Sequence, residues 1–340
     1  MDFDKYKILY VTGKSSFINS GAKDYIKKNI SKKSEIIQFN DFSANPKFED
    51  VRKGVKFFLS GDFNCIVAVG GGSVIDMAKL IIFYSQKGTD KFDSNVGLFQ
   101  SKCPLVAIPT TAGSGSEETH FAVVYDKDIK YSIAHPSLKP TLKILIPELA
   151  FNCPTDQKLT SALDAFCQSI ESFWSKNSSS VSKNYSRKAI LIFMENLEKA
   201  LVNNDFDAFK KVVKASNYAG KAINISKTTG CHALSYFFTT KFNIPHGKSV
   251  AMLMPYVFDY HYKNMPESDI MNELTGLLNF ETTDYFLEFN KYFKNLGLVV
   301  KFEDFGINIK SIIDDLIKNV NRERLKNNPI EINIKKLFKI

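Results

Sequence analysis

The sequence has 340 residues, of which 44% are hydrophobic and 24% are charged, and its formal net charge is +9. The length suits about two domains, and the composition excludes an intrinsically disordered chain. The lysines are dispersed and no nucleic-acid-binding motif is present, so we expect no nucleic-acid partner. No apolar run approaches the roughly 18 residues of a membrane span, the N-terminus is too charged for a signal peptide, and the five cysteines are scattered. We therefore expect a soluble, cytoplasmic protein without a membrane partner.

Short apolar runs alternate with helical patterns in residues 1–150. Five runs predict strands: Tyr6–Val11, Ile36–Phe39, Cys65–Val69, Pro104–Ile108 and Lys143–Ile146. Between them, apolar residues at helical spacing predict a helix over Val74–Tyr84. Continuous apolar strands separated by helices are typical of a doubly wound parallel sheet. Residues 1–150 are therefore predicted to form a Rossmann-like α/β domain.

Strand patterns nearly disappear in residues 151–340. Amphipathic helical stretches replace them: Lys158–Trp174, Tyr185–Asn203, Ala208–Ala222, Thr282–Asn295 and Ile309–Val320. We therefore predict a second, all-α domain over residues 151–340.

Two loops of small residues follow predicted strands. Gly70-Gly71-Gly72-Ser73 precedes a helix, so its backbone can approach a pyrophosphate whose charge the helix N-terminus attracts. Ser73 is expected to cap that helix and to donate a hydrogen bond. The next strand leads into the hydroxyl-rich loop Pro109–Glu117. Neither loop matches the G-x-G-x-x-G pattern, but together they predict a cleft that binds a dinucleotide. Residues 1–150 are therefore the predicted dinucleotide-binding domain.

Four polar residues of the helical half are candidate metal ligands. Asp164 and Gln168 are spaced to share one helix face. His232 lies in an apolar helical segment, and His246 is predicted to lie in a turn between a proline and a glycine. Each has a structural alternative, because a buried histidine is more often a core residue and an aspartate near a helix start often interacts with its dipole. Spacing alone does not establish a metal site.

Five strings, in order and spacing, resemble the iron-containing alcohol dehydrogenase family: Gly70–Lys79, Pro109–Glu117, Asp164-Ala165, His232–Leu234 and Pro245–Gly247. Asn45-Pro46 and Asn327–Pro329 extend the resemblance over essentially the whole chain. It implies an N-terminal dinucleotide-binding domain, a C-terminal helical domain and a catalytic metal in the cleft between them. The implied reaction is the NAD(P)H-dependent interconversion of a small aldehyde and a primary alcohol with one divalent metal, Fe²⁺ or Zn²⁺.

The resemblance implies metal ligands at Asp164, His232 and His246. Gln168 stands where the family usually has a histidine, and its amide oxygen is a poorer ligand for either metal than imidazole. Tyr236 stands where many members have a second histidine. Cofactor contacts are implied at Asn45, Gly71, Gly72, Ser73, Thr110, Thr111, Ser114 and Lys130.

Local strings at Cys167–Ser175, Ala222–Thr229 and His232–Tyr236 resemble the phosphonoacetaldehyde reductase branch of the family. This resemblance implies reduction of phosphonoacetaldehyde to 2-hydroxyethylphosphonate. The candidate proton donors are then Tyr236, water and the cofactor ribose. Lys227 is a candidate anchor for an anionic substrate, although an exposed surface lysine is an equal alternative. Three other functions stay open: a sugar or polyol dehydrogenase acting in cell-surface saccharide biosynthesis, a lyase of the dehydroquinate synthase type, and a non-catalytic metal- or nucleotide-binding protein.

Asn40 occupies a position, six residues before Pro46, at which NAD-preferring members of the family often have an aspartate. Without that carboxylate a ribose 2′-phosphate is not repelled, and the loop Thr12–Ser16, which includes Gly13, offers it a cation and hydroxyl groups. We therefore expect NADP(H) to be favoured over NAD(H). The alternatives are that Asn40 only shapes a turn, or that Asp41 binds the ribose. The expected partner is a small aldehyde or alcohol, with an anionic group as one option, and a homodimer is the candidate assembly.

Overall fold

The computed structural model describes residues 5–30, 36–89, 91–94, 97, 101, 103–127, 129–298 and 301–340. The chain divides into two compact units, Met1–Pro154 and Thr155–Ile340. Over the described ranges, none of the helices combines the length and the apolar character that crossing a lipid bilayer requires.

The first unit contains a five-stranded parallel sheet with strand order β2-β1-β3-β4-β7. Its elements, in chain order, are β1 (Ile8–Thr12), α1 (Ser15–Asn19), α2 (Ala22–Asn29), β2 (Gln38–Phe39), α3 (Phe48–Ser60), β3 (Cys65–Gly70), α4 (Gly72–Lys87), β4 (Leu105–Pro109), β5 (Phe121–Asp126), β6 (Ile129–Ala134), β7 (Leu142–Lys143) and α5 (Pro147–Phe151). The predicted doubly wound α/β fold is confirmed.

Both faces of the sheet are buried, as the continuous apolar strands indicate. Successive side chains of a strand point to opposite faces. On one face Leu9 and Ile66 pack with residues of α3 and α4. On the other, Tyr10 and Val67 pack with residues of α1, α2 and α5. This two-sided burial explains why these strands are recognisable as uninterrupted apolar runs.

Two features of this unit differ from the prediction. The fifth predicted strand, Lys143–Ile146, is shorter and begins one residue earlier, because Ile146 is the N-cap of α5. The antiparallel hairpin of β5 and β6 was not predicted. Its strands are only partly buried, so they lack the continuous apolar run that marks the parallel strands.

In the described residues of the second unit, all the regular secondary-structure elements are helices, as predicted. Its helices are α6 (Thr155–Trp174), α7 (Ser180–Leu201), α8 (Phe206–Ser226), α9 (Gly230–Phe242), α10 (His246–Asn264), α11 (Asp269–Leu278), α12 (Tyr285–Asn295), α13 (Ile309–Asn319), α14 (Arg322–Lys326) and α15 (Ile334–Leu337). The prediction of a turn at His246 is wrong, because this residue is the first of α10. Helix α6 is buried from Lys158 to its end and forms the centre of the unit.

Two adjacent asparagines connect distant segments of the helical unit. The side chain of Asn327 donates to the carbonyl oxygen of Ser226 at 2.8 Å and accepts from the hydroxyl of Ser175 at 3.0 Å. Asn328 accepts from the N–H of Gly230 at 3.2 Å. Both side chains are buried. They hold the segment after α14 against the ends of α6 and α8 and the start of α9.

Candidate metal and dinucleotide sites

Four neighbouring parallel strands end at one edge of the sheet, and a predicted cofactor residue follows each of them. Gly13 follows β1, Asn40 follows β2, Gly71 follows β3 and Thr110 follows β4. Strands β2 and β3 lie on opposite sides of β1, so the direction of winding changes between β1 and β3. Open α/β sheets bind ligands outside the carboxyl ends of their strands at such a switch point.

The glycine turn after β3 packs closely on the loop after β4. A Cβ atom added to Gly72 meets the Ser114 hydroxyl oxygen at 2.6 Å, and one added to Gly71 lies 3.4 Å from the Thr111 hydroxyl oxygen. Thr110 is buried, and its N–H donates to the carbonyl oxygen of Gly70 at 3.0 Å. The structure therefore brings these predicted contacts together at the N-terminus of α4, whose first N–H groups have no partner within the helix.

Ser73 does not cap α4, so that prediction is wrong. The N-cap is Gly71, and Ser73 is the second residue of the helix. Its hydroxyl oxygen instead accepts a hydrogen bond from the N–H of Asn45 at 3.2 Å. Asn45 has a positive φ of 59°, a conformation that asparagine tolerates better than most residues. The two predicted contacts Ser73 and Asn45 are thus adjacent.

A buried lysine fixes the end of the loop after β4, and no role was predicted for it. The side chain of Lys79 is completely buried. Its ammonium group donates to the carbonyl oxygen of Ser116 at 2.7 Å, to the Thr119 hydroxyl at 3.1 Å and to the carbonyl oxygen of Phe121 at 2.9 Å. Burial lowers the pKa of Lys79 to about 8. These bonds join α4 to the loop and to β5.

The same network includes Asp76 and the predicted cofactor residue Lys130. Asp76 accepts from the Ser116 hydroxyl at 2.5 Å and from the N–H of Val123 at 2.9 Å. Burial raises its pKa, and the positive charges of Lys79 and Lys130 oppose that rise. Lys130 lies on β6 opposite Tyr125. The structure therefore places Lys130 within the electrostatic reach of Asp76.

In the second unit, three predicted ligands form one cluster. One donor atom each from Asp164 on α6, His232 on α9 and His246 at the start of α10 lie within 4.8 Å of one another. The Oδ1 atom of Asp164 is 3.2 Å from Nε2 of His232 and 3.9 Å from Nε2 of His246. A Cβ atom on Gly247 would collide with the carbonyl oxygen of Thr160 at 2.0 Å, so this glycine lets α10 begin close to α6.

The residues of the cluster fit a divalent transition metal. They offer one carboxylate and two imidazoles, a donor set that Zn²⁺ and Fe²⁺ accept. Gln168 is 4% exposed, and its Oε1 atom is buried without a hydrogen-bond partner in the described part of the chain. A buried amide oxygen without a donor is costly in free energy. The side chain of Gln168 also hydrogen-bonds to Asp164, so it lies beside the cluster.

Mutual charge interactions hold the cluster together. Burial alone raises the pKa of Asp164, but the hydrogen bond with His232 and the charge of His246 outweigh it and lower that pKa. Burial likewise disfavours the charged form of His232, and the carboxylates of Glu171 and Asp164 reverse this, so that the pKa of His232 is raised.

Glu171 is a member of the site to which no role was assigned from the sequence. Its side chain is completely buried and contacts Nδ1 of His232. A signal was present, because Asp164, Gln168 and Glu171 follow at helical spacing and form a polar stripe on a buried, otherwise largely apolar helix.

The two predicted catalytic residues differ in how firmly the structure ties them to this cluster. The ring of Tyr236 stacks on that of His246, with centroids 5.5 Å apart. Burial raises the pKa of Tyr236, and the charge of Arg324 only partly offsets this, so the phenol is a weaker acid than free tyrosine. Lys227 is 37% exposed and its ammonium group lies 2.7 Å from a carboxylate oxygen of Glu323. An anionic substrate has to compete with that carboxylate.

Comparison with known proteins identifies the family. The model described as "Iron-containing alcohol dehydrogenase" matches residues 2–147. The model of the C-terminal part of the Fe-containing alcohol dehydrogenase family matches residues 158–340. The chain therefore belongs to the iron-containing alcohol dehydrogenase family of oxidoreductases, which confirms the family resemblance of the sequence.

Individual relatives show what the chain is similar to. It is 28% identical over 344 residues to 4-hydroxybutyrate dehydrogenase from Clostridium kluyveri, covering 96% of this chain and 91% of that protein. It is 32% identical over 238 residues to an aldehyde-alcohol dehydrogenase from Streptococcus pneumoniae, where the match covers 66% of this chain and only 27% of that longer protein. The crystal structure of sulfoacetaldehyde reductase from Bifidobacterium kashiwanohense in complex with NAD⁺ matches with a TM-score of 0.84 and 26% identity over 98% of this chain and 89% of that one.

Proposed function

We propose that this chain is a metal-dependent NAD(P)H oxidoreductase that interconverts a short, anionic aldehyde and its primary alcohol. Phosphonoacetaldehyde, reduced to 2-hydroxyethylphosphonate, is the first candidate substrate. The observation that carries the proposal is the cluster of Asp164, His232 and His246, with the buried Gln168 side chain beside it, in a chain of this family.

The residues of the cluster and their neighbours have three tasks: to bind the metal, to orient a ligand and to donate a proton. Asp164, His232, His246 and Gln168 would hold the metal, which would supply Lewis-acid polarisation of a carbonyl oxygen. Asp164 contributes the only negative charge among the four donors. Glu171 holds the imidazole of His232 through its Nδ1 atom. Tyr236 is stacked on His246, so its phenol is the candidate proton donor to an alkoxide.

The nicotinamide cofactor, which supplies the hydride, is assigned to the carboxyl edge of the sheet. The N–H groups at the start of α4 and the adjacent glycines Gly71 and Gly72 bind the pyrophosphate. Thr110 and Thr111, which follow β4, would contact the nicotinamide. Lys79 holds this loop in place through hydrogen bonds to the carbonyl oxygen and the hydroxyl group of Ser116.

Support for an anionic substrate comes from two sources. Two similar proteins are named after short anionic compounds: 4-hydroxybutyrate carries a carboxylate, and sulfoacetaldehyde carries a sulfonate. In this chain, two cations lie on the Tyr236 side of the helical unit: Lys227 pairs with Glu323, and the charge of Arg324 lowers the pKa of Tyr236 against the effect of burial. A phosphonate or a carboxylate beside Tyr236 gains from both cations.

The test is oxidation of NADPH, and in parallel of NADH, by protein reconstituted separately with Fe²⁺ and with Zn²⁺. Phosphonoacetaldehyde, sulfoacetaldehyde and succinic semialdehyde are compared with butanal, a neutral aldehyde, and with an aldose panel. We expect kcat/KM for an anionic aldehyde to exceed that for butanal by roughly tenfold or more, because one charge-assisted hydrogen bond contributes about 1.5–3 kcal/mol. His232→Ala, with an unchanged far-ultraviolet circular dichroism spectrum, is the inactive control.

Three results would contradict the proposal in different ways. Equal kcat/KM for butanal and the anionic aldehydes would exclude a preference for anionic substrates. Preference for aldoses supports the sugar dehydrogenase instead. Absence of turnover with metal bound and with either nicotinamide cofactor, or turnover without net cofactor consumption, removes the oxidoreductase assignment and leaves a binding protein or a lyase.

A further inference from the structure

Glu171 accepts hydrogen bonds with both carboxylate oxygens at the start of α9. Its Oε1 atom accepts from the N–H of Thr229 at 3.2 Å, from the Thr229 hydroxyl at 2.8 Å and from the N–H of Cys231 at 2.8 Å. The N–H of His232 is a further, longer contact at 3.4 Å. Its Oε2 atom faces Nδ1 of His232. One side chain of α6 thus binds both the backbone of the α9 N-terminus and a metal-ligand candidate on that helix.

All these contacts require a side chain that accepts hydrogen bonds and donates none. A carboxylate has two acceptor oxygens and no proton to donate. The Nδ1 atom of His232 therefore carries a proton, and Nε2 is the ring nitrogen left for a metal ion, which takes the place of a proton shared with Asp164. Nε2 is the atom that faces Asp164, at 3.2 Å. The tautomer that a metal needs is consequently dictated by the partner on the other side of the ring.

We propose that Glu171 is a positioning residue, which fixes the Nδ1-protonated tautomer of His232 and anchors the start of α9 so that Nε2 faces the cluster with Asp164 and His246. This inference rests on the proposed function in assuming that the cluster binds a metal. It predicts that the metal affinity of the chain depends on a residue that contacts neither the metal nor the substrate.

An amide at this position cannot replace the carboxylate. In the Glu171→Gln variant, if the new amide oxygen accepts from the α9 N–H groups, the amide NH₂ group faces Nδ1 of His232. The imidazole then has to accept there, and Nε2 is protonated and lost as a ligand. In the opposite orientation the NH₂ group points at three donors of the helix N-terminus. Glu171→Gln therefore impairs one function or the other, although the shape of the side chain is almost unchanged.

Thr229 supplies matched controls for the structural part of this role. Its hydroxyl accepts from Nε1 of Trp174 at 2.7 Å and donates to Oε1 of Glu171. Thr229→Val removes both bonds but leaves the contact between Oε2 and His232 in place. Thr229→Ser retains the hydroxyl and is the conservative rescue.

The experiment measures Zn²⁺ affinity of the full chain by competition with a chromophoric chelator, together with the melting temperature of the metal-free protein. We expect Glu171→Gln to weaken Zn²⁺ binding roughly 10–100-fold, as loss of such outer partners does elsewhere. We expect Thr229→Val to lower the melting temperature with a change in Zn²⁺ affinity of less than about threefold, and Thr229→Ser to restore it. Unchanged Zn²⁺ affinity in a folded Glu171→Gln variant overturns the proposal. A Thr229→Val variant that loses as much affinity as Glu171→Gln overturns the tautomer assignment, because α9 anchoring alone then explains the effect.

A second measurement needs no variant of Glu171. In ¹⁵N-edited NMR spectra of the Zn²⁺-loaded wild type, we expect His232, assigned by the absence of its signals in His232→Ala, to be protonated at Nδ1. Protonation at Nε2 overturns the inference. A wild type that binds no Zn²⁺ contradicts the proposed function itself, whereas a wild type that binds Zn²⁺ independently of Glu171 contradicts only this inference.

Discussion

The buried ammonium group of Lys79 lies 2.7 Å from the carbonyl oxygen of Ser116 and so joins helix α4 to the loop that follows β4. Replacement by methionine keeps the apolar stem but removes this bond and three more. It also leaves Asp76 without its nearest cation. We expect Lys79→Met to lower the free energy of unfolding by about 3–5 kcal/mol, the range for a broken buried ion pair, in urea titrations followed by circular dichroism.

Lys53 provides the matched control for that substitution. It too has an aspartate three residues earlier, Asp50, but its side chain is 53% exposed, whereas that of Lys79 is completely buried. We expect Lys53→Met to have no measurable effect on the urea midpoint. Equal midpoints for the two variants would show that the Lys79 network does not stabilise the sheet unit.

His261 should make the helical unit sensitive to acid. Its Nε2 atom lies 2.5 Å from the side-chain nitrogen of Asn328, and burial lowers its pKa from 6.5 to about 3. Below pH 6.5 the unfolded chain binds a proton at this histidine and the folded chain does not, so stability falls as the pH falls from 6.5 to about 3. This group contributes a slope of up to about 1.4 kcal/mol per pH unit. We expect His261→Gln to reduce the pH dependence of unfolding in this window, and an unaltered slope would contradict the assignment.

Gln168→His tests whether the amide oxygen is a metal ligand. Imidazole is the better donor for either metal, so we expect tighter Zn²⁺ binding or a changed preference between Zn²⁺ and Fe²⁺ in chelator competition. Gln157→His, on an exposed turn of the same helix, is the control and should behave as wild type. If affinity and selectivity of Gln168→His equal those of wild type, Gln168 does not contact the metal.

Asn40→Asp tests the choice of cofactor. We expect the wild type to have a higher kcat/KM with NADPH than with NADH, and the introduced carboxylate to shift that ratio roughly tenfold towards NADH by repelling the 2′-phosphate. Asp41→Asn tests the alternative. Asp41 is 69% exposed and lies 3.5 Å from Lys53, so we expect its substitution to leave the ratio unchanged. A wild type that prefers NADH, or an Asn40→Asp variant with an unmoved ratio, contradicts the prediction.

Lys227 combines a candidate function with an unfavourable backbone conformation. Its φ of 59° and ψ of −178° are nearly restricted to glycine and cost about 1–3 kcal/mol. We expect Lys227→Gly to melt at a higher temperature than Lys227→Ala, because only glycine relieves the strain. Both variants should raise KM for phosphonoacetaldehyde and leave KM for butanal unchanged. Equal melting temperatures would exclude the strain, and an unchanged KM for phosphonoacetaldehyde would exclude the anchor.

The sheet was predictable from the sequence because burial on both faces leaves an unmistakable pattern. Strands such as Cys65–Gly70 contain no polar residue. The β5–β6 hairpin is partly exposed on both strands and has no such signature. Helix α10 was missed for the opposite reason, and α9 was predicted only as an apolar helical segment around His232. They are buried around much of their circumference, so they lack the polar face by which an amphipathic helix is recognised.

The candidate site was predictable as a set of residues but not as an arrangement. Family motifs indicated Asp164, His232 and His246, yet periodicity cannot show that three helices converge on one point. The partners that orient these residues were missed, because Glu171 acts across 61 positions of the chain. The pairing of Lys227 with Glu323 spans 96 positions and likewise has no local signature.

The contact between Ser175 and Asn327 has a consequence for biosynthesis. These residues are 152 positions apart, and their hydrogen bond belongs to the network that closes the helical unit. At about 5–20 residues per second, a ribosome needs on the order of 10–30 s to translate the intervening chain. During that time the strands of the sheet have already emerged from the ribosome. The residues at the ends of α6 and α8, Ser175 and Ser226, cannot yet bond to Asn327, which has not been translated. The helical unit is thus the part of the nascent chain that can complete its hydrogen-bond network last.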